Sequence, residues 1–323
     1  MDIVNISFGS LNVRGLKDIL KRKALFLFCK GQRTQCLLLQ ETHSAEVDET
    51  FWTNQWGDRI LFSHGSNRSG GVAICFNKCP GEVVTHRADG DGHWLTVVLK
   101  VESLFLIITN IYGYNNEGQN IKLLENITNV ILDLKMQYPT NCVLVGGDWN
   151  MTPDEWLDRS PPRLSEPQCN DTVKRSMTDN NLTDVWRNVN PDVKSYSWFK
   201  PNGANKSRID YWLVSDNILS YVSRTTISKA PLTDRCFITL FLETTLKEVR
   251  NKGYWKCNAG LLKNEEYCNK IRELIKETEN NELIENNIGK WEYTKFKIRQ
   301  FTIKFCKDLN RKKENMKVIY SKK

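Results

Sequence analysis

The sequence lacks the patterns that mark several large protein classes. No apolar run approaches the roughly 18 residues of a membrane-spanning helix, so we expect no membrane segment. The first residues have neither the basic stretch nor the apolar core of a secretory signal, so we expect an intracellular rather than a secreted protein. Repeats of fixed period and low-complexity tracts are also missing. A folded domain is therefore expected.

Several catalytic motifs are missing as well. The sequence has no P-loop, no dinucleotide-binding glycine fingerprint and no Gly-x-Ser-x-Gly nucleophile elbow. The four histidines lie in the first third without a His-x-x-x-His pair: His43, His64, His86 and His93. Ten cysteines without a secretory signal indicate a reducing compartment, and none has zinc-finger spacing. Structural zinc and serine hydrolase chemistry are therefore not expected.

The charge is unevenly distributed along the chain. The 323 residues, 40% of them hydrophobic, suit one large domain with an extension. Residues 246–323 contain 20 Lys and Arg against 11 Asp and Glu, whereas residues 1–245 contain 26 against 27. We therefore expect a nearly neutral domain over 1–245 and a basic segment over 246–323. The basic segment is a candidate for binding polyanions, although interleaved acids also suit a solvated helical surface.

Apolar strand patterns dominate the first 245 residues, and helical patterns fall between them. Strands are predicted at 3–13, 36–40, 70–76, 94–101, 105–112, 142–145, 195–199, 207–214, 225–228 and 237–242. Helices are predicted at 17–30, 121–136 and 173–181. Because several strands are apolar on both faces, we predict an α/β fold in which two packed mixed β-sheets are flanked by helices, a four-layer α/β sandwich.

The basic segment is expected to form a C-terminal helical extension. Asn264 is a predicted N-cap before a helix containing Tyr267, and Trp291, Ile298 and Phe305 recur every seven residues. Basic residues at 311–313 and 322–323 are a weak nuclear-address signal, for which solvated charge is the alternative interpretation.

The segment 143–150, Val-Leu-Val-Gly-Gly-Asp-Trp-Asn, is the most informative stretch of the sequence. A short apolar strand runs into Gly146 and Gly147, where the backbone can bend or approach another element closely. Asp148 and Asn150 follow the strand's carboxyl end, where open α/β sheets place ligands. This arrangement suits activation of a water molecule beside a phosphate. The alternative is an Asx-rich turn that only ends a strand.

Carboxylates recur after, or beside, other apolar strands. The acids are Glu41, Asp148, Asp210 and Asp234, and the accompanying amides and phenol are Asn12, Asn150 and Tyr112. Such hard oxygen ligands favour Mg²⁺, with Mn²⁺ as an alternative, over Zn²⁺. A metal held by one or two carboxylates is typical of phosphoryl chemistry, and a further acid can orient water.

The motifs that contain these residues resemble, in order and spacing, those of the endonuclease/exonuclease/phosphatase superfamily. They are Leu-Asn-Val-Arg-Gly at 11–15, Leu-Gln-Glu-Thr-His at 39–43, Gly-Gly-Val-Ala-Ile at 70–74, Asn-Ile-Tyr at 110–112, Gly-Gly-Asp-Trp-Asn at 146–150, Arg-Ile-Asp at 208–210 and Thr-Asp-Arg at 233–235. The subgroup most similar is the apurinic-type endonuclease domain of LINE-type retrotransposon polymerase proteins. The sequence shows no reverse transcriptase motif, so we expect a fragment, a truncated copy or a stand-alone derivative.

The resemblance implies roles for individual residues. Glu41 would bind Mg²⁺ with Asn12 beside it, and Asp234 would belong to the metal side of the site. Tyr112 and Asn115 would contact the scissile phosphate.

Away from the metal, Asp148 would position or deprotonate the attacking water, and Asn150 would bind the phosphate. Arg159 and Ser197 would lie near the DNA backbone. Asp210 would orient a histidine after Asp234, but this sequence has Arg235 there. Because an arginine cannot exchange a proton near neutral pH, this replacement predicts weakened catalysis.

We therefore predict a Mg²⁺-dependent DNA endonuclease that nicks one strand and exposes a 3′-hydroxyl to prime reverse transcription. One alternative is a catalytically weakened DNA-binding remnant. Another is a different phosphodiesterase of the superfamily, acting on abasic DNA or on lipid or inositol phosphates. Double-stranded DNA is the predicted partner, the basic segment is a candidate site for the element's RNA, and residence in the nucleus, at least transiently, is expected.

Overall fold

The structure is a computed structural model that describes residues 4–66, 69–163, 170–244, 259–279 and 290–309, the last without 292, 296, 303 and 307. The basic runs at 311–313 and 322–323 lie outside the described residues. The chain divides into two units, Met1–Leu246 and Lys247–Lys323. No described helix has the length and hydropathy needed to cross a membrane.

Strands and helices of the first unit alternate along the chain. The strands are β1 (Val4–Asn12), β2 (Cys36–Gln40), β3 (Ile60–Ser63), β4 (Val72–Phe76), β5 (Glu82–Ala88), β6 (Trp94–Val101), β7 (Leu104–Tyr112), β8 (Val143–Asp148), β9 (Arg159–Ser160), β10 (Leu182–Asp184), β11 (Trp198–Phe199), β12 (Lys206–Ser207), β13 (Asp210–Ser215), β14 (Val222–Lys229) and β15 (Cys236–Thr244). The helices are α1 (Ile19–Gly31), α2 (Glu49–Trp56), α3 (Glu117–Gln137), α4 (Asp171–Asn180), α5 (Val185–Val189) and α6 (Asp216–Leu219).

Two six-stranded sheets form the centre of this unit. Their strand orders are β14-β15-β1-β2-β4-β3 and β10-β13-β8-β7-β6-β5, and a small third sheet has the order β11-β12-β9. Each large sheet contains one parallel pair, β1 with β2 and β7 with β8, among antiparallel neighbours. Both large sheets are therefore mixed, as predicted.

The core consists of three apolar layers. Phe8 and Leu38 of the first sheet pack with Leu144 and Trp212 of the second, so the two sheets face each other. Helices α1 and α2 cover the outer face of the first sheet, where Trp52 and Trp56 are buried. Helices α3 and α4 cover the outer face of the second sheet. The predicted four-layer α/β sandwich is confirmed.

Several elements differ from the sequence prediction. Strand β5 was not predicted, because its side chains alternate between exposed and only partly buried positions at the sheet edge. The strand predicted over 207–214 is interrupted at Arg208 and Ile209. Their backbone N–H groups donate to the Asp158 carbonyl (2.7 Å) and to Ser197 Oγ (3.0 Å), so neither is available to a strand ladder at that point.

The second unit contains the predicted amphipathic helices. Helix α7 (Glu265–Glu279) begins after Asn264, whose side-chain oxygen accepts from the Tyr267 N–H at 2.9 Å, as expected of an N-cap. The described residues between 290 and 309 are also helical. Tyr267 packs on Phe301 and Phe305 and shares a 2.7 Å hydroxyl contact with Thr302, so the two helical segments pack against each other.

A buried ion network fixes the small sheet beside the second large sheet. Arg208, with no exposed surface, donates to both oxygens of Asp158 (2.7 and 2.9 Å) and to Asp184 Oδ2 (2.6 Å). We expect Asp158→Ala to lower the free energy of unfolding by about 3–5 kcal/mol, because Arg208 would remain charged, buried and only partly paired.

Urea denaturation would measure this change. Asp133→Ala is the matched control, because it removes an acid that pairs with Arg87 at the surface (3.2 Å) and should cost about 0–1 kcal/mol. Equal losses for the two variants would contradict a structural role of the buried network.

Candidate active site

The predicted polar residues meet where the two sheets end together. Asn12 and Gln40 are register partners at the carboxyl ends of parallel β1 and β2, and Glu41 follows β2. Tyr112 and Asp148 are register partners at the ends of parallel β7 and β8. Strand β13 runs antiparallel to β8 and places Asp210 opposite Asp148. One edge of the sandwich thus collects side chains from both sheets.

The glycine pair before Asp148 is required by close packing. A Cβ atom at Gly146 would lie 2.1 Å from ring atoms of Trp212. Gly147 has φ +144°, and a Cβ there would lie 2.0 Å from the Ile111 carbonyl oxygen. Because both positions exclude a side chain, β8 can lie close to its neighbours and carry Asp148 into a fully buried position.

Asn12 links the two sheets at the site. Its Nδ2 donates to Glu41 Oε1 and to Asp148 Oδ2, both at 2.7 Å. Its side-chain oxygen accepts from the Arg14 N–H at 3.1 Å. With no exposed surface, Asn12 holds the expected metal-binding acid and the expected water-positioning acid in a fixed relation.

Arg235 lies between the two buried acids of the second sheet. Its Nη2 is 2.6 Å from Asp148 Oδ2, and its Nη1 is 3.3 Å from Asp210 Oδ2. Nη2 also lies 3.5 Å from Asn150 Oδ1. Burial acts to lower the pKa of Arg235, but the surrounding carboxylates outweigh it and raise this pKa above its usual value. The guanidinium therefore stays charged.

The buried acids themselves are less acidic than ordinary carboxyl groups. Burial raises the pKa of Asp148, while Arg235 and the hydrogen bond from Asn12 oppose the increase. Burial likewise raises the pKa of Asp210 to about 8, although Arg235 opposes the increase. Asp148 and Asp210 therefore bind a proton more readily than ordinary carboxylates do, whereas the neighbouring Arg235 stays charged and cannot accept one.

Ser197 lies beneath Asp210 in the interior of the site. It has no exposed surface, and its hydroxyl donates to Asp210 Oδ2 at 2.6 Å while accepting from the Ile209 and Asp210 N–H groups. The buried hydroxyl thus positions Asp210 from beneath the site, and the predicted place of Ser197 near the DNA backbone stays a prediction.

The other two predicted DNA contacts lie outside the cluster of acids. Arg159 lies in the small sheet, and its Nε donates to Glu155 at 2.8 Å. Asn115 is exposed in the loop between β7 and α3. Their contact with DNA stays a prediction.

Tyr112 faces Glu41 from the second sheet. Burial raises the pKa of its hydroxyl, and the charges of Glu41 and Asp148 raise it further, so the phenol remains protonated near neutral pH. The ring stacks on His93 with centroids 5.2 Å apart, and the His93 ring donates from Nδ1 to the Tyr112 carbonyl at 2.6 Å. Its single O–H is shared with Glu41, so Tyr112 can donate a hydrogen bond to a ligand there only in place of that contact.

Asp234 lies among hydrogen-bond donors. Arg14 Nη1 is 3.1 Å from Asp234 Oδ2, and Trp198 Nε1 donates to the same oxygen at 2.9 Å. Its other oxygen is 4.0 Å from Arg235 Nε. Neither Arg14 nor Trp198 was predicted to contribute. Arg14 lies in the motif at 11–15, but no local pattern shows that it or Trp198 pairs with Asp234, which is more than 30 residues from either.

The donor chemistry fits a hard divalent cation held by few protein ligands. Among the residues described, no three His, Cys, Asp or Glu side chains are arranged to hold a metal ion by themselves. Mg²⁺ commonly binds through one or two carboxylates and completes its coordination with water and phosphate oxygens. Glu41, with Asn12 and Tyr112 beside it, suits this mode.

Comparisons with known proteins show the family of this chain and the proteins that share its fold. A sequence model of the Endonuclease/Exonuclease/phosphatase family matches residues 9–234. The Transposon TX1 uncharacterized 149 kDa protein of Xenopus laevis is 24% identical over 272 residues, which cover 83% of this chain and 20% of that protein. This chain therefore spans about a fifth of that relative. An Exodeoxyribonuclease of Bacillus subtilis is 23% identical over 72% of this chain and 98% of its own length.

Solved structures share the fold. The AP endonuclease LMAP from Leishmania major superposes with a TM-score of 0.62 at 18% identity, over 74% of this chain and 88% of its own. A variant of the 3′ phosphatase NExo from Neisseria, bound to a product DNA hairpin, gives 0.60 at 17% identity, over 73% of this chain and 98% of its own. At these identities the likeness concerns the fold alone.

Proposed function

This chain belongs to the endonuclease/exonuclease/phosphatase family, and we propose that it is a Mg²⁺-dependent DNA endonuclease of the retrotransposon type. It would nick one strand of duplex DNA and leave a 3′-hydroxyl from which reverse transcription starts. The similarity to a transposon protein over 83% of the chain supports the retrotransposon assignment. The single structural observation that carries the proposal is the Asn12 amide, which joins Glu41 and Asp148 at 2.7 Å each.

The residues divide the chemistry among them. Glu41 would hold Mg²⁺ or Mn²⁺, which supplies Lewis-acid stabilisation of the phosphate when bound. Tyr112, kept protonated, would donate to a non-bridging oxygen as charge develops. Asp148, buried and fixed by Asn12, would position the attacking water. Asn150 donates one amide hydrogen to the Gly113 carbonyl at 2.7 Å and has a second for the phosphate.

A plasmid assay tests the proposed activity. Supercoiled DNA incubated with the protein and Mg²⁺ should become open circular, and EDTA should abolish the change. A DNA polymerase should then extend the nicks with labelled nucleotides, because extension requires a 3′-hydroxyl. Duplexes with and without one abasic site should be cut at similar rates. Strict dependence on the abasic site would instead assign the protein to abasic-site repair.

The position of Arg235 favours a second candidate, a DNA-binding protein with weakened catalysis. Its guanidinium pairs with Asp148 at 2.6 Å and so competes with water for that acid. Duplex binding with no metal-dependent nicking would support this candidate. Binding of the element's RNA by the basic segment and transient residence in the nucleus are further parts of the proposal. They rest on the net charge of residues 246–323 and on the transposon relative.

A further inference from the structure

Arg14 is held firmly at the rim of the site. It follows β1 in a left-handed conformation (φ +50°), and its N–H donates to Asn12 Oδ1. Its carbonyl accepts from Lys21 Nζ at 2.7 Å. The next residue, Gly15, donates its N–H to the Glu41 carbonyl at 2.6 Å. Hydrogen bonds on both sides thus fix the backbone from which the guanidinium extends.

The guanidinium compensates the charge of Asp234 and remains accessible. Arg14 and Trp198 both bond Asp234 Oδ2, and Arg235 faces the other oxygen. A divalent cation bound to Asp234 would have two guanidinium groups as near neighbours. The Arg14 side chain is 55% exposed, and a guanidinium has five N–H donors in a plane that matches phosphate oxygens.

We propose that Arg14 binds a phosphate of the DNA backbone at the metal side of the site, and that Asp234 positions Arg14 rather than binding the metal. This inference rests on the proposed function. It changes the predicted role of Asp234 and leaves Glu41 as the carboxylate that anchors the metal. Lys21, in the first turn of α1, bonds the Arg14 carbonyl and so adds a second positive charge to the same rim.

Salt dependence of DNA binding tests the role of Arg14 without cleavage. Fluorescence anisotropy with a labelled duplex, in EDTA, gives the slope of log K against log salt concentration. Arg14→Gln should reduce the steepness of that slope by about 0.9, the value for one lost phosphate contact.

Arg33→Gln is the matched control and should leave the slope unchanged. Arg33 is also exposed and also has a left-handed backbone conformation (φ +56°). It lies away from the site, beside the first half of β1, where Ser7 Oγ donates to its carbonyl. An Arg14→Gln slope equal to that of the parent overturns the inference. A parent that fails to bind duplex would instead overturn the proposed function itself.

Binding of Mn²⁺ to the DNA-free protein, followed by electron paramagnetic resonance, tests the role of Asp234. Asp234→Asn keeps an oxygen for Trp198 and should bind Mn²⁺ within about threefold of the parent, because the neighbouring Arg14 and Arg235 already offset the charge that is removed. Glu41→Gln should bind at least about tenfold more weakly. A tenfold loss in Asp234→Asn would overturn the positioning role, whereas unchanged affinity in Glu41→Gln would contradict the proposed metal anchor.

Discussion

Replacing Arg235 with histidine is expected to raise the rate of Mg²⁺-dependent plasmid nicking by about 10²–10⁴-fold, the usual contribution of one proton-transferring group. The guanidinium now contacts Asp148 and Asp210 and cannot exchange a proton near neutral pH. An imidazole can pair with Asp210 and still take up or release a proton. It also frees Asp148 from its 2.6 Å ion pair.

Arg235→Lys is the control for this gain, because it retains the positive charge without an imidazole. It should nick no faster than the parent, and thermal melting should show that both variants are folded. The relevant quantity is the initial rate of open-circle formation at fixed protein and Mg²⁺ concentrations. If Arg235→His nicks at the parental rate, Arg235 does not limit catalysis, and the catalytic roles assigned to position 235 and Asp210 fail.

Loss of Glu41 is expected to have the second largest effect. In the Arg235→His background, Glu41→Ala should lower the nicking rate by about 10²–10³-fold, corresponding to several kcal/mol of metal-derived transition-state stabilisation. The active background matters because a loss is difficult to measure in a slow enzyme. Raising the Mg²⁺ concentration should recover part of the rate, since the variant binds the metal more weakly.

Glu49→Ala provides the comparison for Glu41→Ala. Glu49 pairs with His64 at 2.8 Å and its side chain is half exposed, so its removal deletes an acid without touching the site. Equal nicking rates for Glu41→Ala and Glu49→Ala would refute the assignment of Glu41 as the metal anchor.

Much of the fold was predictable because its strands are buried. Cys36–Gln40 and Trp94–Val101 have the predicted bounds, since a short, mostly apolar run indicates a strand covered on both faces. Strand β5 was not predicted, because an edge strand with exposed side chains has no such pattern. Helix α2 was also missed, although it buries Trp52 and Trp56, because its eight residues contain little more than two turns of periodic sequence.

The sequence by itself showed which polar residues lie at strand ends, and it predicted that those after buried strands face a ligand. Asn12, Tyr112 and Asp148 lie at the carboxyl ends of parallel strands, whereas Asp210 begins an antiparallel strand that only the fold brings beside them. Only the tertiary structure decided how the charges pair. Asn12 reaches Asp148 across 136 residues, and Thr233 Oγ1 reaches the Asn12 carbonyl across 221. No local sequence pattern encodes contacts between residues so far apart in the chain, since these contacts depend on how the two sheets stack. The pairings of Arg235 with Asp148, Arg14 with Asp234 and Ser197 with Asp210, which decide the expected activity, therefore emerged from the packing alone.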